Sequence, residues 1–221
     1  MIAENGILNP YPGPRPFEQG EQNLFFGRDR EVKELLSLII AHRVVVLYAQ
    51  SGAGKTSLLN AGLVPLLTEE GFEILPVARV RGFEPEDIDL SDIANIYVFN
   101  TLVGWSENKA EPAPLMRASI ISFLKEREHL EDEFGDSSPR LAIFDQFEEL
   151  FTFYPERWNE REDFLRQVVD ALEADPLLRV LFVMREDYLA SLVSYNRLFA
   201  ERLPRPLSDG AFAPGSGNYG C

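Results

Sequence analysis

Two rhythms of apolar residues alternate along this chain. Residues 43–48, 140–145 and 178–184 are short apolar runs rich in β-branched and aromatic side chains, the pattern of strands buried on both faces. Residues 72–80 repeat the pattern more weakly, and Pro76 inside them predicts an edge position or an early strand end. Between these runs the spacing becomes helical. Val32, Leu35, Leu36, Ile39 and Ile40 share one face of a helix opening at Asp29, with Asp29 and Glu31 in its first turn, where the dipole favours acids. A second helix is predicted from residue 55 to about Leu67, and amphipathic helices over 91–102 and 113–130, the latter with Leu115, Met116, Ser119, Ile120, Phe123 and Leu124 on one face. Phe164, Leu165, Val168, Val169 and Leu172 define another helix, and a last one is predicted over 186–202. Strands alternating with helices predict a three-layer α/β fold, a mainly parallel, doubly wound sheet covered on both faces.

The two ends break this pattern. Residues 9–17, Asn-Pro-Tyr-Pro-Gly-Pro-Arg-Pro-Phe, forbid helix and sheet interior, so residues 1–24 are expected to form an extended arm laid on the domain through Tyr11 and Phe17. Residues 204–221 combine Pro204, Pro206 and Pro214 with glycines at 210, 215, 217 and 220, and are expected to be disordered, a truncated or foreign end. One domain over 25–203 remains, as suits a chain of 221 residues. No run approaches the ~20 apolar residues of a membrane helix, and Met1 to Gly6 show no secretory signal, so the expectation is a cytoplasmic protein without membrane contact. One cysteine, Cys221, and two histidines, His42 and His129, leave no disulfide framework and no Cys- or His-rich metal site. A net charge of −15 argues against nucleic acid as a partner, which needs clustered Lys and Arg, but permits a local anion site.

Such a site is visible at residues 49–56, Ala-Gln-Ser-Gly-Ala-Gly-Lys-Thr, between a predicted strand and a predicted helix. A glycine-containing loop in that context can turn successive backbone N–H groups inward as a nest for phosphate oxygens, helped by the helix N-terminus. Ser51, Gly52, Ala53, Gly54, Lys55, Thr56 and Ser57 are the candidate cradle, with Lys55 reaching the outer phosphates and the Thr56 hydroxyl offered to Mg2+. Ala49 stands where the usual pattern has glycine, which requires a negative φ there; the alternative is a plain strand–turn–helix with an exposed lysine. Asp145, at the end of a buried run, is the candidate second ligand of Mg2+, facing Thr56 across adjacent strands; the alternative is a helix cap. Glu149, then Glu148, are candidates to orient or deprotonate a hydrolytic water. Arg185, ending the 178–184 run, either reads the outer phosphate or pairs with Glu186 or Asp187.

Together these segments resemble a known family. Phe25-Phe26-Gly27-Arg28-Asp29-Arg30-Glu31 is similar to the hhGRExE signature of the STAND class of signal-transduction P-loop ATPases, and Asp145-Gln146-Phe147-Glu148-Glu149 to that class's magnesium-aspartate strand. With Pro12-Gly13-Pro14-Arg15-Pro16-Phe17, the chain most resembles the bacterial novel STAND NTPase 1 (nSTAND1) branch, over about residues 9–203. The resemblance implies an ATP/ADP- and Mg2+-binding signalling switch that hydrolyses ATP slowly, with self-association or other signalling proteins as partners. It also implies Arg28 near the base and ribose, and Arg185 as phosphate sensor. Asp29, Val183 and Ala49 depart from the family pattern, and no winged-helix or repeat domain follows, so the alternative is a non-catalytic nucleotide-binding or protein-interaction fragment of a truncated STAND protein.

Overall fold

The computed structural model describes residues 15–82, 89–200 and a short strand at 212–214. Its sheet is parallel throughout, in the order β2-β3-β4-β1-β5, with β1 Val44–Ala49, β2 Glu73–Ile74, β3 Arg140–Phe144, β4 Leu178–Arg185 and β5 Phe212–Pro214. The period-2 alternation of each central strand divides the core into two layers. Val45 and Leu47 of β1, Leu141 and Ile143 of β3 and Leu181 and Val183 of β4 face one side. There they meet α1 (Asp29–Ala41), through Val32, Leu35 and Ile39, and α2 (residues 55–69), through Leu58, Leu59, Leu63 and Leu67. Val46, Ala142, Phe144, Val180 and Phe182 face the other side. There α3 (Ile96–Trp105) and α4 (Glu160–Ala174) cover them. This is the expected three-layer, doubly wound arrangement.

Polar residues fix the seams. Arg140 is buried at the start of β3; its Nε donates to Glu73 at 2.8 Å and its Nη2 to the carbonyls of Arg127 and Glu128 at 2.9 Å. A buried guanidinium is tolerable when its donors are satisfied in this way. Asn95 caps α3, accepting from the Tyr97 and Val98 amides at 3.1 Å, and its Nδ2 donates to Glu160 O and Asp163 at 2.9 Å, joining α3 to α4.

Several expected boundaries move. The strand expected over 72–80 is regular only at Glu73–Ile74. Pro76 lacks an N–H, and the chain continues along β3 through separate bonds from Leu75 N to Leu141 O and from Ala78 N to Ile143 O, both 2.9 Å. The helix expected from residue 91 starts at Ile96, where Asn95 supplies the cap. The one expected over 113–130 is two short helices, Pro112–Leu115 and Ile120–Lys125, because Ser119 forms a capping box with Ser122 and restarts the helix. The helix expected over 186–202 is likewise split, into Glu186–Tyr188, Leu189–Val193 and Asn196–Ala200. Residues 1–14, with Tyr11, lie outside the described residues; the rest of the arm is not extended throughout, since Gln19–Leu24 form a 3-10 segment capped by Glu18. The tail expected to be disordered contributes β5, which pairs with the outer edge of β1 from Val46 to Tyr48. The edge of β1 offers free backbone groups, and a strand ending in Pro214 can satisfy them.

The helix after the glycine loop is unusual in its hydrogen bonding: Leu58–Leu63 is a π segment within α2. Gly62 lies in it against α1, where an added Cβ would be 2.6 Å from Val32 Cγ2 and 3.2 Å from Phe25 Cε1. Helix propensity alone favours alanine over glycine by about 1 kcal/mol, but overpacking costs about 1–3 kcal/mol. Gly62→Ala is therefore expected to lower the urea midpoint; a raised midpoint would show that α1 and α2 are not in close contact.

Candidate functional site

β1 delivers the chain to the loop and α2 carries it away. Ala49 is the last residue of β1, buried and in register with Arg185 of β4, in extended backbone. An alanine therefore fits where the usual pattern has glycine. The two glycines that remain are required: Gly52 and Gly54 have φ of 77° and 75°, in the left-handed region. Lys55 opens the helix, and its Nζ donates to the carbonyls of Ala49 at 3.1 Å and Gln50 at 3.0 Å. Burial lowers the pKa of this ammonium, while Glu148 and Asp145 pull it back up.

β3 supplies the acid. Asp145 is buried, and its Oδ2 accepts from Thr56 Oγ1 at 3.0 Å while Oδ1 accepts from the Gln146 amide at 2.9 Å. Thr56 and Asp145 thus meet, but not across adjacent strands: β4 lies between β1 and β3. Two strand spacings, about 10 Å, are spanned because the loop carries Thr56 off β1 and back over β4. Beyond Asp145 the chain turns sharply at Gln146, φ 53°, and Phe147 N donates to Val183 O at 2.9 Å, which ties the turn to β4. Phe147 is fully buried, with its ring centroid 4.2 Å from that of Phe182.

That turn sends the two glutamates apart. Glu148 lines the cavity beside the loop and accepts from the Arg185 amide at 3.1 Å. Glu149, the first choice for the base, is not among the cavity-lining residues; its carboxylate is 3.8 Å from Arg81, and its Oε2 is buried without a hydrogen-bond partner. Burial raises its pKa, against the pull of Arg79 and Arg81. Arg185 does line the cavity, and its guanidinium pairs with Asp187 and lies 5.7 Å over the Tyr188 ring.

The cavity, about 880 Å³, is lined by every expected cradle residue from Ser51 to Ser57, with Asp145, Glu148 and Arg185. Arg28 is not among its lining residues; it holds the loop from behind through Ala53 O. Sequence reasoning missed the opposite wall, which is Arg15, Pro16, Phe17, Leu24, Phe25 and Phe26. Phe17 docks by backbone, its N–H donating to Ser57 Oγ at 3.2 Å and its carbonyl accepting from Asn60 at 3.3 Å, and its ring meets Phe25 edge-on at 5.6 Å. Phe25 and Phe26, just before Gly27, were the available signal.

The family model for Novel STAND NTPase 1 matches residues 10–207. The chain belongs to that family. Among solved structures, the Walker-type ATPase PABY2304 of Pyrococcus abyssi is similar at 17% identity and a TM-score of 0.52, covering 90% of this chain and 56% of its own. The Aeropyrum pernix ORC2 protein, in ADPNP–ADP complexes, matches at 17% identity and a TM-score of 0.46, covering 92% of this chain and 47% of its own. This chain thus spans about half the length of each. No curated protein sequence matches it. By its family, and by the fold it shares with the Walker-type ATPase, the STAND domain is a nucleotide-binding P-loop NTPase. No helix among its described residues is long and apolar enough to cross a membrane.

The placement of Glu149 in this STAND domain has a pH signature. A carboxyl whose folded pKa is raised contributes stability that is present below its unfolded pKa and lost as pH rises through the folded value. Glu149→Gln is therefore expected to raise Tm over wild type by about 2–4 °C at pH 8, with the gap closing towards pH 4. Thermal melts across that range check it; a variant less stable at pH 8 would mean that the Arg81 contact outweighs burial.

Proposed function

We propose that this domain binds Mg·ATP in the loop cavity, hydrolyses it slowly and acts as a nucleotide-dependent signalling switch. The observation that supports this best is the meeting of Thr56 and Asp145 at 3.0 Å beside Lys55 and the glycine loop. A hydroxyl and a carboxylate are hard oxygen donors of the kind Mg2+ takes, and a glycine loop leading into a helix N-terminus suits phosphate. Bound there, the cation would neutralise charge on the outer phosphates. Lys55, whose ammonium donates to two carbonyls, would exchange these for phosphate oxygens. The wall of Phe17, Phe25 and Phe26 offers apolar and π surface to a purine. ATP is favoured over other nucleotides by family membership.

For turnover, Glu148 rather than Glu149 would hold a water against the outer phosphate; its place on the cavity wall, with Glu149 beside Arg81, supports this. Its carboxylate is braced by the Arg185 amide, which leaves one oxygen for that water. Arg185 is the candidate sensor. Its pairing with Asp187 is exposed and therefore weak, so an outer phosphate can compete for the guanidinium. Exchange of partners between Asp187 and phosphate would link nucleotide state to the segment after β4. Self-association and signalling partners belong to this proposal as what such a switch would control.

Calorimetry with ATP and ADP tests the reading. Lys55→Ala is expected to weaken ATP at least tenfold, about 1.4 kcal/mol. Arg185→Ala should weaken ATP by roughly tenfold or more, as befits one charge-assisted bond, and leave ADP nearly unchanged. Equal loss of both nucleotides would make Arg185 structural, and unchanged affinity in Lys55→Ala would remove the phosphate loop itself. Glu148→Gln is expected to slow phosphate release without weakening ATP, while Glu149→Gln leaves the rate near wild type.

A further inference from the structure

Arg28 sits in the signature that suggested a base or ribose contact, yet its guanidinium is turned away from that role. Its Nη1 donates to Ala53 O at 2.7 Å, and its Nε lies 3.5 Å from Glu31. The side chain is largely buried, at 15% exposure, and does not line the loop cavity. It packs so closely behind the loop that a Cβ on Gly54 would be 3.3 Å from Nη1. The bond thus falls on one peptide group, Ala53–Gly54, in the middle of the candidate phosphate nest.

A trans peptide is rigid and planar, and its C=O and N–H point to opposite sides. No peptide bond among the described residues is cis. Fixing Ala53 C=O against Arg28 therefore directs the Gly54 N–H away from Arg28, towards the side on which Gly54 lines the cavity. The need for pinning is plain. Gly52 and Gly54 are both in left-handed backbone, where glycine reaches several other conformations at little cost. A loop free to flip that peptide would present a carbonyl oxygen to an anion in place of a donor. The cation also polarises the peptide, making its N–H a better donor. Glu31, from the first turn of α1, lies 3.5 Å from Nε, an ion-pair distance without a hydrogen bond, so its charge attracts the guanidinium towards α1.

We propose that Arg28 is a positioning residue for phosphate binding: it pins the Ala53–Gly54 peptide with its N–H facing the cavity and makes no contact with base or ribose. This rests on the nucleotide-site reading above and deepens it. The distinguishing feature is that such a residue acts on any polyphosphate, with or without a nucleoside.

The test compares ATP with inorganic tripolyphosphate, in wild type, Arg28→Ala, Arg28→Lys and Lys55→Ala, by calorimetry, with Tm measured for each. Arg28→Ala is expected to weaken both ligands by the same factor, roughly tenfold or more, and Arg28→Lys, which keeps a cation and a donor, to recover part of the loss. In amide NMR, the Gly54 resonance should move on adding tripolyphosphate to wild type and move less in Arg28→Ala. If Arg28→Ala does not fold, the same common factor is read from the smaller losses in Arg28→Lys. Loss of ATP affinity with tripolyphosphate unchanged would place Arg28 on the nucleoside and overturn the proposal, as would unchanged affinity for both. Either result, with Lys55→Ala still losing both ligands, leaves the nucleotide-site reading standing. Wild type binding neither ligand would end both.

Discussion

The hydrogen bond from Thr56 Oγ1 to Asp145 Oδ2 joins residues 89 apart in sequence and closes the one place where the loop, the first turn of α2 and the end of β3 come together. It bridges strands that end at different levels: Ala49 of β1 is in register with Arg185 of β4, whereas β3 stops at Phe144, in register with Phe182, three residues short of the end of β4, which lies between the other two. A parallel sheet gathers its strand ends, and the loops that follow them, at one edge. The apolar alternation that buries both faces of the sheet therefore also sets Ala49 beside Arg185 and brings Asp145 to the same edge of the sheet. Loss of register by one residue would turn each strand's core side chains to the wrong face and scatter these three.

The turn after β3 sends a run of acids to two different places. Phe147 is locked into the aromatic cluster with Phe144 and Phe182 and bonded to Val183 O. With that residue fixed, Glu148 faces the cavity and Glu149 faces Arg81. Arg81 in turn stacks on Phe153 at 3.5 Å, which couples the segment after β2 to the short helix Glu149–Thr152. On the other side of the site, Phe17 and Asn60 join the arm to α2 at its π segment. The extra residue per turn there is a departure from α geometry of the kind often found beside functional sites.

Sequence alone was informative where periodicity and spacing carry the signal. The alternation of strands and helices gave the three layers, and the Gly-Lys-Thr loop and Asp145, both read from local pattern, line one cavity. Strand order was not readable, because nothing local says that β4 inserts between β1 and β3. Glu148 lines the cavity and Glu149 does not because Gln146 is left-handed, a conformation that no residue type announces. Ser119 and Pro76 each broke an element that periodicity would have continued, one by capping and one by lacking an N–H. Resemblance puts Arg28 near the nucleoside, and nothing in the sequence announces its bond to Ala53 O.

The central claim is that Thr56 and Asp145 together form a Mg2+ site that serves a bound nucleotide. Asp145→Asn keeps the shape and the bonding capacity of the side chain but removes the charge that would attract the cation. The most direct measurement is ATP affinity titrated against Mg2+ in wild type and Asp145→Asn. Wild-type affinity should rise with Mg2+, and the variant's should be nearly flat. Identical magnesium dependence in the two proteins would contradict the account and leave Asp145 as a partner of Thr56 and of the Gln146 amide alone.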